Sequence, residues 1–543
     1  MEDLIVNKII KQYETLKSER ANLESTWQEI AKYCLPRKAF ITKQAEGQVR
    51  KAEYDIYDST SIMSALILSA GLHSYLTNPS SKWFALRTQE EDLMNDHTVK
   101  VWLKSCEDRI YDALNSSNFA QQIHETYIDL NVFGTACLYE EEDPKTITRF
   151  YCRPISEIFI SENEQERVDV VIRYFKLTAR QAYAIWKKDA GEEVQKAIES
   201  KEFEKPIYFL HAVLPREFYQ SGKQDKFNMP YASYYIEYSK KRLIAESGYR
   251  EFPFFIPRFY KESNDIWGTS PAFVCFSDIK TVNQIAYLIL RASQKIIDPP
   301  LVLPRDGFLL PIDVRPGSLN FRLTKSPDDR IEPLAIGANL PIGDAIAEKY
   351  REQIQKAFFV DLFLLLTSQP PKMTATEVIQ RVEEKMLILA PVLGRLMSEL
   401  LNPIIQRTFA ILGRNGYLPP IPPILEGKEY TIEYISPLAR AQKLQEIQSI
   451  TQFMQIFASL AQMKGDILDR LNFDKLLQDV ADIYKVPPAI LRSDEEVEQI
   501  KQQRAQMEQL QQGLQAGTQI AQIAKAVGEA EKNARVSGQP ASY

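Results

Sequence analysis

One helical pattern of apolar residues runs from Thr374 to Leu412, bounded by Pro370-Pro371 before it and by Gly413, Asn415 and Gly416 after it. Val378, Val382, Met386, Leu389, Leu393, Leu396, Leu400 and Ile404 recur at steps of three and four, which paints one stripe along a helix. Thr374 stands three residues before Glu377, the spacing at which a hydroxyl and a carboxylate satisfy the first orphan amides of a helix. Pro391 and Pro403 lie inside the pattern. Each lacks an N–H and crowds the carbonyl four residues back, so the helix is expected to bend at both. A long, bent helix with one partner face needs a scaffold larger than a small bundle.

Gly343-Asp344 opens a second pattern, in which Ile346, Tyr350, Ile354, Phe358 and Leu362 recur every fourth residue and predict an amphipathic helix to about Leu366. Between the two helices lies a short polar loop, Thr367-Ser368-Gln369-Pro370-Pro371-Lys372, stiffened by its prolines and ended by a cation. Taken alone, such a loop is an ordinary helix connector.

At 543 residues the chain exceeds one compact core, and a prior of about 150 residues per domain gives three or four substructures. Its 66 Lys plus Arg against 72 Asp plus Glu leave a net charge of -6, which excludes non-specific DNA binding over the whole surface. Any nucleic-acid contact must be local or transient. The five cysteines (34, 106, 137, 152 and 275) are scattered without a Cys-x-x-Cys pair, against both a disulfide framework and a structural zinc site. No uninterrupted apolar run approaches the roughly 18 to 20 residues that span a bilayer. The acidic first residues lack the pattern of a secretory signal.

The pattern elsewhere is mixed α+β and predominantly α-helical. Helices are expected over Leu4 to Tyr33, Ser59 to Leu76, His97 to Asn115, Phe119 to Phe133, Ala179 to about Ile198 and Ser277 to Ile297. Strands are expected over Gly134 to Tyr139, Phe150 to Ile160, Val168 to Phe175, Ile207 to Leu214, Tyr231 to Tyr238 and Tyr430 to Ile435. Leu301 to Leu303, Phe308 to Leu310 and Asn320 to Leu323 are short strand candidates in a Pro- and Gly-rich segment. Ser436-Pro437 opens a largely helical region reaching Tyr484, and Ser493 with Glu496 caps a last, Gln-rich helix before a fraying tail.

Catalytic signals are missing. His73, His97, His124 and His211 form no His-Glu-x-x-His set, and no phosphate-binding loop or Gly-x-Ser-x-Gly elbow occurs. His124-Glu125 are helix neighbours that point about 100 degrees apart. Glu140-Glu141-Glu142-Asp143 lacks the alternating spacing of a calcium loop and reads as a solvated surface turn. The aromatic run Tyr249, Phe252, Phe254, Phe255, Phe259 and Tyr260, with Arg250, Arg258 and Lys261 interspersed, admits base stacking, but Pro253 and Pro257 favour a core-lining extended segment. No catalytic, metal or cofactor residue is expected.

Several strings then accumulate in one order: WQEIAKYCLPR at 27–37, YDST at 57–60, AGLHSYLTNP at 70–79, FGTACLY at 133–139, WGTSPA at 267–272, DIKTVN at 278–283, DPPL at 298–301, TATEVIQRVEEK from 374 and ISPLARAQ at 435–442. Jointly they resemble the head-to-tail connector, or portal, proteins of short-tailed bacteriophages, from about Arg20 to Gln448.

The resemblance implies a twelve-fold ring at one capsid vertex, with an axial channel through which double-stranded DNA enters during packaging and leaves during ejection. Residues 1–276 would be the wing, 277–297 and 343–366 the stem helices, 298–342 the clip, and 374–436 the long kinked helix with its return to the wing. The crown would take 437–498, with the Gln-rich helix and tail over 499–543. Thr367, Ser368, Gln369, Pro370, Pro371 and Lys372 would form the tunnel loop facing DNA, and Pro391 and Pro403 the kinks. The implied partners are further copies of the chain, a terminase motor, a tail adaptor, and capsid and scaffolding proteins, with no membrane. The implied location is the virion, after assembly in the host cytoplasm. ATP hydrolysis would belong to the motor, which accounts for the missing catalytic residues. The alternatives are a helical tail-adaptor or scaffold without a channel, suggested by the Gln-rich helix, and a DNA-processing enzyme, which would need a Mg²⁺-binding acid cluster.

Overall fold

The computed structural model describes chiefly residues 2–42, 55–90, 96–220, 225–302, 340–367, 388–425 and 430–434, with isolated residues elsewhere. In chain order the helices are α1 (Glu2–Cys34), α2 (Thr60–Leu76), α3 (His97–Ser116), α4 (Phe119–Phe133), α5 (Ala179–Trp186), α6 (Glu192–Glu199), the short α7 (Pro271–Val274), α8 (Phe276–Ile297), α9 (Leu340–Ala357), α10 (Val360–Thr367) and α11 (Ile388–Arg414). The strands are β1 (Phe84–Thr88), β2 (Leu138–Asp143), β3 (Ile147–Cys152), β4 (Ile158–Glu162), β5 (Val168–Thr178), β6 (Pro206–Pro215), β7 (Tyr231–Glu237), β8 (Arg242–Tyr249), β9 (Phe254–Phe255), β10 (Leu301–Val302), β11 (Glu332–Pro333) and β12 (Tyr430–Tyr434). The fold is mixed α+β.

The chain divides into two compact units. The larger, residues 1–83, 109–418 and 434–439, is built on the antiparallel sheet β4-β5-β6-β7-β8. Alternation sorts its side chains to two faces. Phe159, Ile172, Leu210, Ala212 and Ile236 meet Val6, Ile9, Ile10 and Tyr13 of α1 on one face. Ile158, Ile160, Val171 and Val213 meet Tyr139 and Phe254 of a second sheet, ordered β3-β2-β9, and Ile256 just after it, on the other. Arg20 of α1 is buried and donates to the carbonyls of Ile155 (2.9 Å) and Ser156 (3.1 Å), which pins the helix to the entrance of β4. In the smaller unit, β1 pairs with β12, the Trp102 indole donates to the Pro419 carbonyl at 3.2 Å, and Glu107 accepts from the Leu86 amide at 3.0 Å.

Several boundaries differ from the sequence reading. Gly134 is not in a strand: at φ +78° it caps α4, its amide donates to the Leu130 carbonyl, and β2 begins only at Leu138. The strand expected over Phe150 to Ile160 is two strands, β3 and β4, separated by a turn at Ile155–Glu157. The helix expected from Ala179 stops at Trp186, with Lys187 at φ +51°, and α6 starts after Gly191, whose φ of +98° no helix holds and where the Glu237 carboxylate occupies the place of a Cβ. The helix expected from Gly343 begins at Leu340 and divides at Phe358–Phe359, with Phe359 at φ +55°. Strand β8 was not expected, because Arg242, Glu246, Ser247 and Gly248 dilute its apolar pattern. Of the candidate strands after α8, Leu301 to Leu303 corresponds to β10, paired antiparallel with β11. Phe308 to Leu310 and Asn320 to Leu323 lie outside the described residues, apart from Phe321, which is in no strand. The readings for 374–387 and most of 435–543 also lie outside them.

Helix α11 is long and apolar enough by composition to cross a membrane. Its Leu389, Leu396, Leu400, Leu401, Ile404, Ile405, Ile411 and Leu412 are instead buried in the protein. The aromatic run after β8 is core-lining, as the prolines imply: Phe254, Phe255 and Phe259 are buried.

Candidate functional site

Several of the strings that carry the resemblance fall on scaffold contacts of the larger unit. Trp27 is buried, stacks edge-on against Trp267 with centroids 5.1 Å apart, and donates from its indole to the Phe133 carbonyl at 3.1 Å. Gly134 and Gly268 approach so closely that a Cβ on Gly268 would lie 2.4 Å from the Gly134 carbonyl oxygen. Only glycine fits there. Thr135 accepts from the Gly268 amide at 2.8 Å, and Ser270 donates to the Val132 carbonyl at 2.8 Å. Asp58 accepts from the Thr60 amide (2.9 Å) and from Arg351 of α9 (2.8 Å). Asn283 of α8 accepts from the Tyr57 amide at 2.7 Å and donates to the Asp55 carbonyl at 3.0 Å. These motifs therefore tie α8 and α9 to the body.

The two helices also pack on each other: a Cβ at Gly343 would come within 3.1 Å of the Ile289 side chain. The strands that follow α8 and precede α9 pair with each other, so the chain leaves and returns as a hairpin. Its outer surface carries exposed apolar side chains among charged ones. Leu288, Leu290, Ile296 and Ile346 are exposed, Ile342 is 57% exposed and Ile297 83%.

Beyond α9, Phe363 of α10 lies against Gly71 of α2, where a Cβ would stand 2.2 Å from the ring. Thr367 ends α10. Ser368, Gln369, Pro370, Pro371 and Lys372 lie outside the described residues. Pro391 and Pro403 both stand on α11, and the helix widens to a π turn over Met397–Leu401, just before Pro403. Pro403 crowds the carbonyl of Glu399, which sits inside that turn.

The turn presents Glu399 to Arg258, a pairing that sequence reading missed. Arg258 is buried, and both its amide (2.9 Å) and its Nη2 (2.6 Å) donate to Glu399. It also bonds the carboxylate of Glu162 and the carbonyls of Glu166 (3.1 Å) and Ile266 (3.3 Å). Lys261 pairs with Glu166 at 2.5 Å and Glu162 at 3.3 Å.

A second ionic centre lies farther along α11. Glu140 is not in a solvated turn: it sits in β2, completely buried, and accepts from the Thr408 hydroxyl at 3.0 Å, with Arg407 at 3.7 Å. The Arg407 Nη1 donates to the Glu251 carbonyl at 2.8 Å, and Arg414 joins Glu251 (2.6 Å) to Glu142 (2.7 Å). Burial pushes the Glu140 carboxyl up to about 7, against the pull of Arg407 and Thr408. The signal in the sequence was the alternation Leu138-Glu140, which places that carboxylate on the inward face of a strand. Both centres fasten α11 to the sheets. His124 is half-buried beside His73, with ring centroids 5.5 Å apart. Among the described residues no three His, Cys, Asp or Glu side chains are grouped to hold a metal.

Comparison with known proteins gives this architecture its context. The family described as "Bacteriophage head to tail connecting protein" matches residues 6–491. The chain is similar to the "Portal protein" of Salmonella phage epsilon15, 32% identical over 532 residues that make up 96% of this chain and 95% of the relative. It is also similar to the "Probable portal protein" of Bordetella phage BPP-1, 31% identical with the same coverage. The match spans the α8–α9 hairpin, α11 and the motifs that tie them down, and the chain belongs to the bacteriophage head to tail connecting protein family.

Proposed function

We propose that this chain is the portal subunit of a short-tailed phage, a structural protein and not an enzyme. Copies close head-to-tail into a ring at one capsid vertex, twelve-fold by the portal resemblance, and double-stranded DNA passes through its centre in packaging and ejection. The ring is a virion component, assembled in the host cytoplasm. The observation that carries this reading is the similarity along 96% of the chain to two phage proteins named as portal proteins. The exposed apolar surface of the α8–α9 hairpin agrees with it, since a monomer in water gains by covering such a patch.

In this reading residues 1–276 form the wing, 277–297 and 343–366 the stem, 298–342 the clip, 374–436 the bent helix with its return to the wing, and 437–498 the crown. Residues 499–543 extend it as the Gln-rich helix and tail. Ser368, Gln369, Pro370, Pro371 and Lys372, after Thr367, form the loop that touches DNA, and Pro391 and Pro403 turn the chain from channel to wing. The clip docks the terminase motor and then the tail adaptor, while capsid and scaffolding proteins meet the wing. The chain's net charge of -6 suits a conduit, because each ordered cationic contact would add salt-dependent affinity and slow the passage of DNA.

Electron microscopy of the purified protein is the test. Annular particles with a central hole are expected, and image classification gives the subunit number. Solid or elongated particles at every concentration and ionic strength would leave a tail adaptor or scaffold as the better reading. ATPase or nuclease activity that co-elutes with the protein would mark it as an enzyme.

A further inference from the structure

An open cleft of about 950 Å³ lies in the larger unit between α11, the β4–β5 turn and the segment that follows β8. Its cations divide into two sets. Arg258, Lys261 and Arg407 are held by Glu162, Glu166, Glu399, Glu140 and Glu251 in the centres described above. Arg167, Arg250 and Arg395 also line the cleft without an ion pair or hydrogen bond to a carboxylate among the described residues, although Arg395, after Lys261, helps to hold the Glu166 carboxyl below its usual range. Arg167 and Arg250 are exposed. Arg395 is half-buried, and its Nη1 is shielded from water without an acceptor. A guanidinium nitrogen in that state carries a desolvation cost that an incoming acceptor would remove.

The rest of the lining restricts what could supply the acceptor. Asp169, Glu166, Glu251 and Glu399 also border the cleft, so a continuous polyphosphate would run against carboxylates. A polypeptide sets single carboxylates several ångströms apart and can place them on the arginines alone, where bidentate pairing is available. Tyr231, Phe252 and the two prolines of α11 give an apolar floor for its intervening side chains. The volume suits several residues of an extended segment and far exceeds a single ion. Gly394 opens the wall further, since a Cβ added there would meet nothing within 4 Å.

We propose that this cleft docks an acidic polypeptide segment of a partner protein, its carboxylates pairing with Arg395, Arg250 and Arg167.

The test uses the full-length assembled protein and fluorescence anisotropy of a labelled peptide of alternating glutamate and leucine, with a glutamine-for-glutamate control peptide and a duplex DNA of equal length. The glutamate peptide binds and the control does not. Arg250→Gln with Arg395→Gln weakens binding by about tenfold or more, as expected for lost charge-assisted pairs. Gly394→Leu, which fills the cleft without touching the charges, weakens it as well. Equal binding by all variants, or none by the wild type, overturns the proposal. DNA binding that the same variants abolish would assign the cleft to nucleic acid instead. Folded Arg395→Glu protein that fails to form rings would make it a contact between copies. Ring formation with unaltered morphology by the Gln variants keeps this result separate from the portal reading.

Discussion

Replacing Glu140 by glutamine tests whether a buried carboxyl in β2 makes the stability of this subunit depend on pH. Burial raises the folded-state value from the usual 4.5 to about 7. Between those values the folded chain holds a proton that the unfolded chain has released, so stability falls as pH rises. The contribution is full below about 4.5 and gone above about 7. At 1.36 kcal/mol per pH unit the interval amounts to about 3 kcal/mol. Glutamine keeps an acceptor for the Thr408 hydroxyl at the same place and has no proton to lose. Arg407 retains the Glu251 carbonyl at 2.8 Å. Equilibrium urea unfolding of both proteins, at one subunit concentration, is compared at about pH 5 and about pH 8. The variant gains on the wild type by up to about 3 kcal/mol between the two. A difference between the proteins that does not change with pH would refute the argument, and would mean that Arg407 holds Glu140 ionised throughout.

Arg258→Met leaves Glu399 without its buried cation and Glu162 with Lys261 alone, and is expected to destabilise the larger unit by about 3 to 5 kcal/mol; a loss below about 1 kcal/mol in the same urea assay would show that α11 is held by packing alone. Leu393→Ala, on the buried stripe of α11, is expected to cost about 2 to 5 kcal/mol. Gly71→Ala drives a methyl into the Phe363 ring and is expected to cost about 1 to 3 kcal/mol, with faster proteolysis near α10; an unchanged cleavage pattern would mean that the ring swings aside freely. Lys372→Ala is expected to leave ring assembly within about 0.5 kcal/mol of wild type while impairing DNA packaging or retention. Failed assembly would make its loop an architectural connector, and normal DNA handling would leave Lys372 without a conduit role.

The sequence by itself determined the elements whose signals are local. Helix α4 falls on the predicted Phe119 to Phe133 because its apolar period and the following Gly134 both act within one or two turns. Strands β5, β6 and β7 were legible for the same reason, through β-branched and aromatic runs with turn residues between them. The family was legible too, since several of its strings sit at glycine approaches, caps and tryptophan contacts where few residues fit. What only the tertiary structure decided involves partners far apart in the chain. Arg258 and Glu399 are 141 positions apart, and Glu140 and Thr408 are 268 apart. Neither end carries a mark of the other, so four consecutive acids read as a wet turn until α11 supplied an arginine and a hydroxyl over one of them. The division at Phe359 escaped notice because a continuous period of four has no place for a residue at positive φ; the packing of Phe363 on Gly71 sets the direction that α10 takes beyond it. Periodicity reports what a segment prefers alone, whereas the burial of a charge and the position of a break depend on what the rest of the fold brings against it.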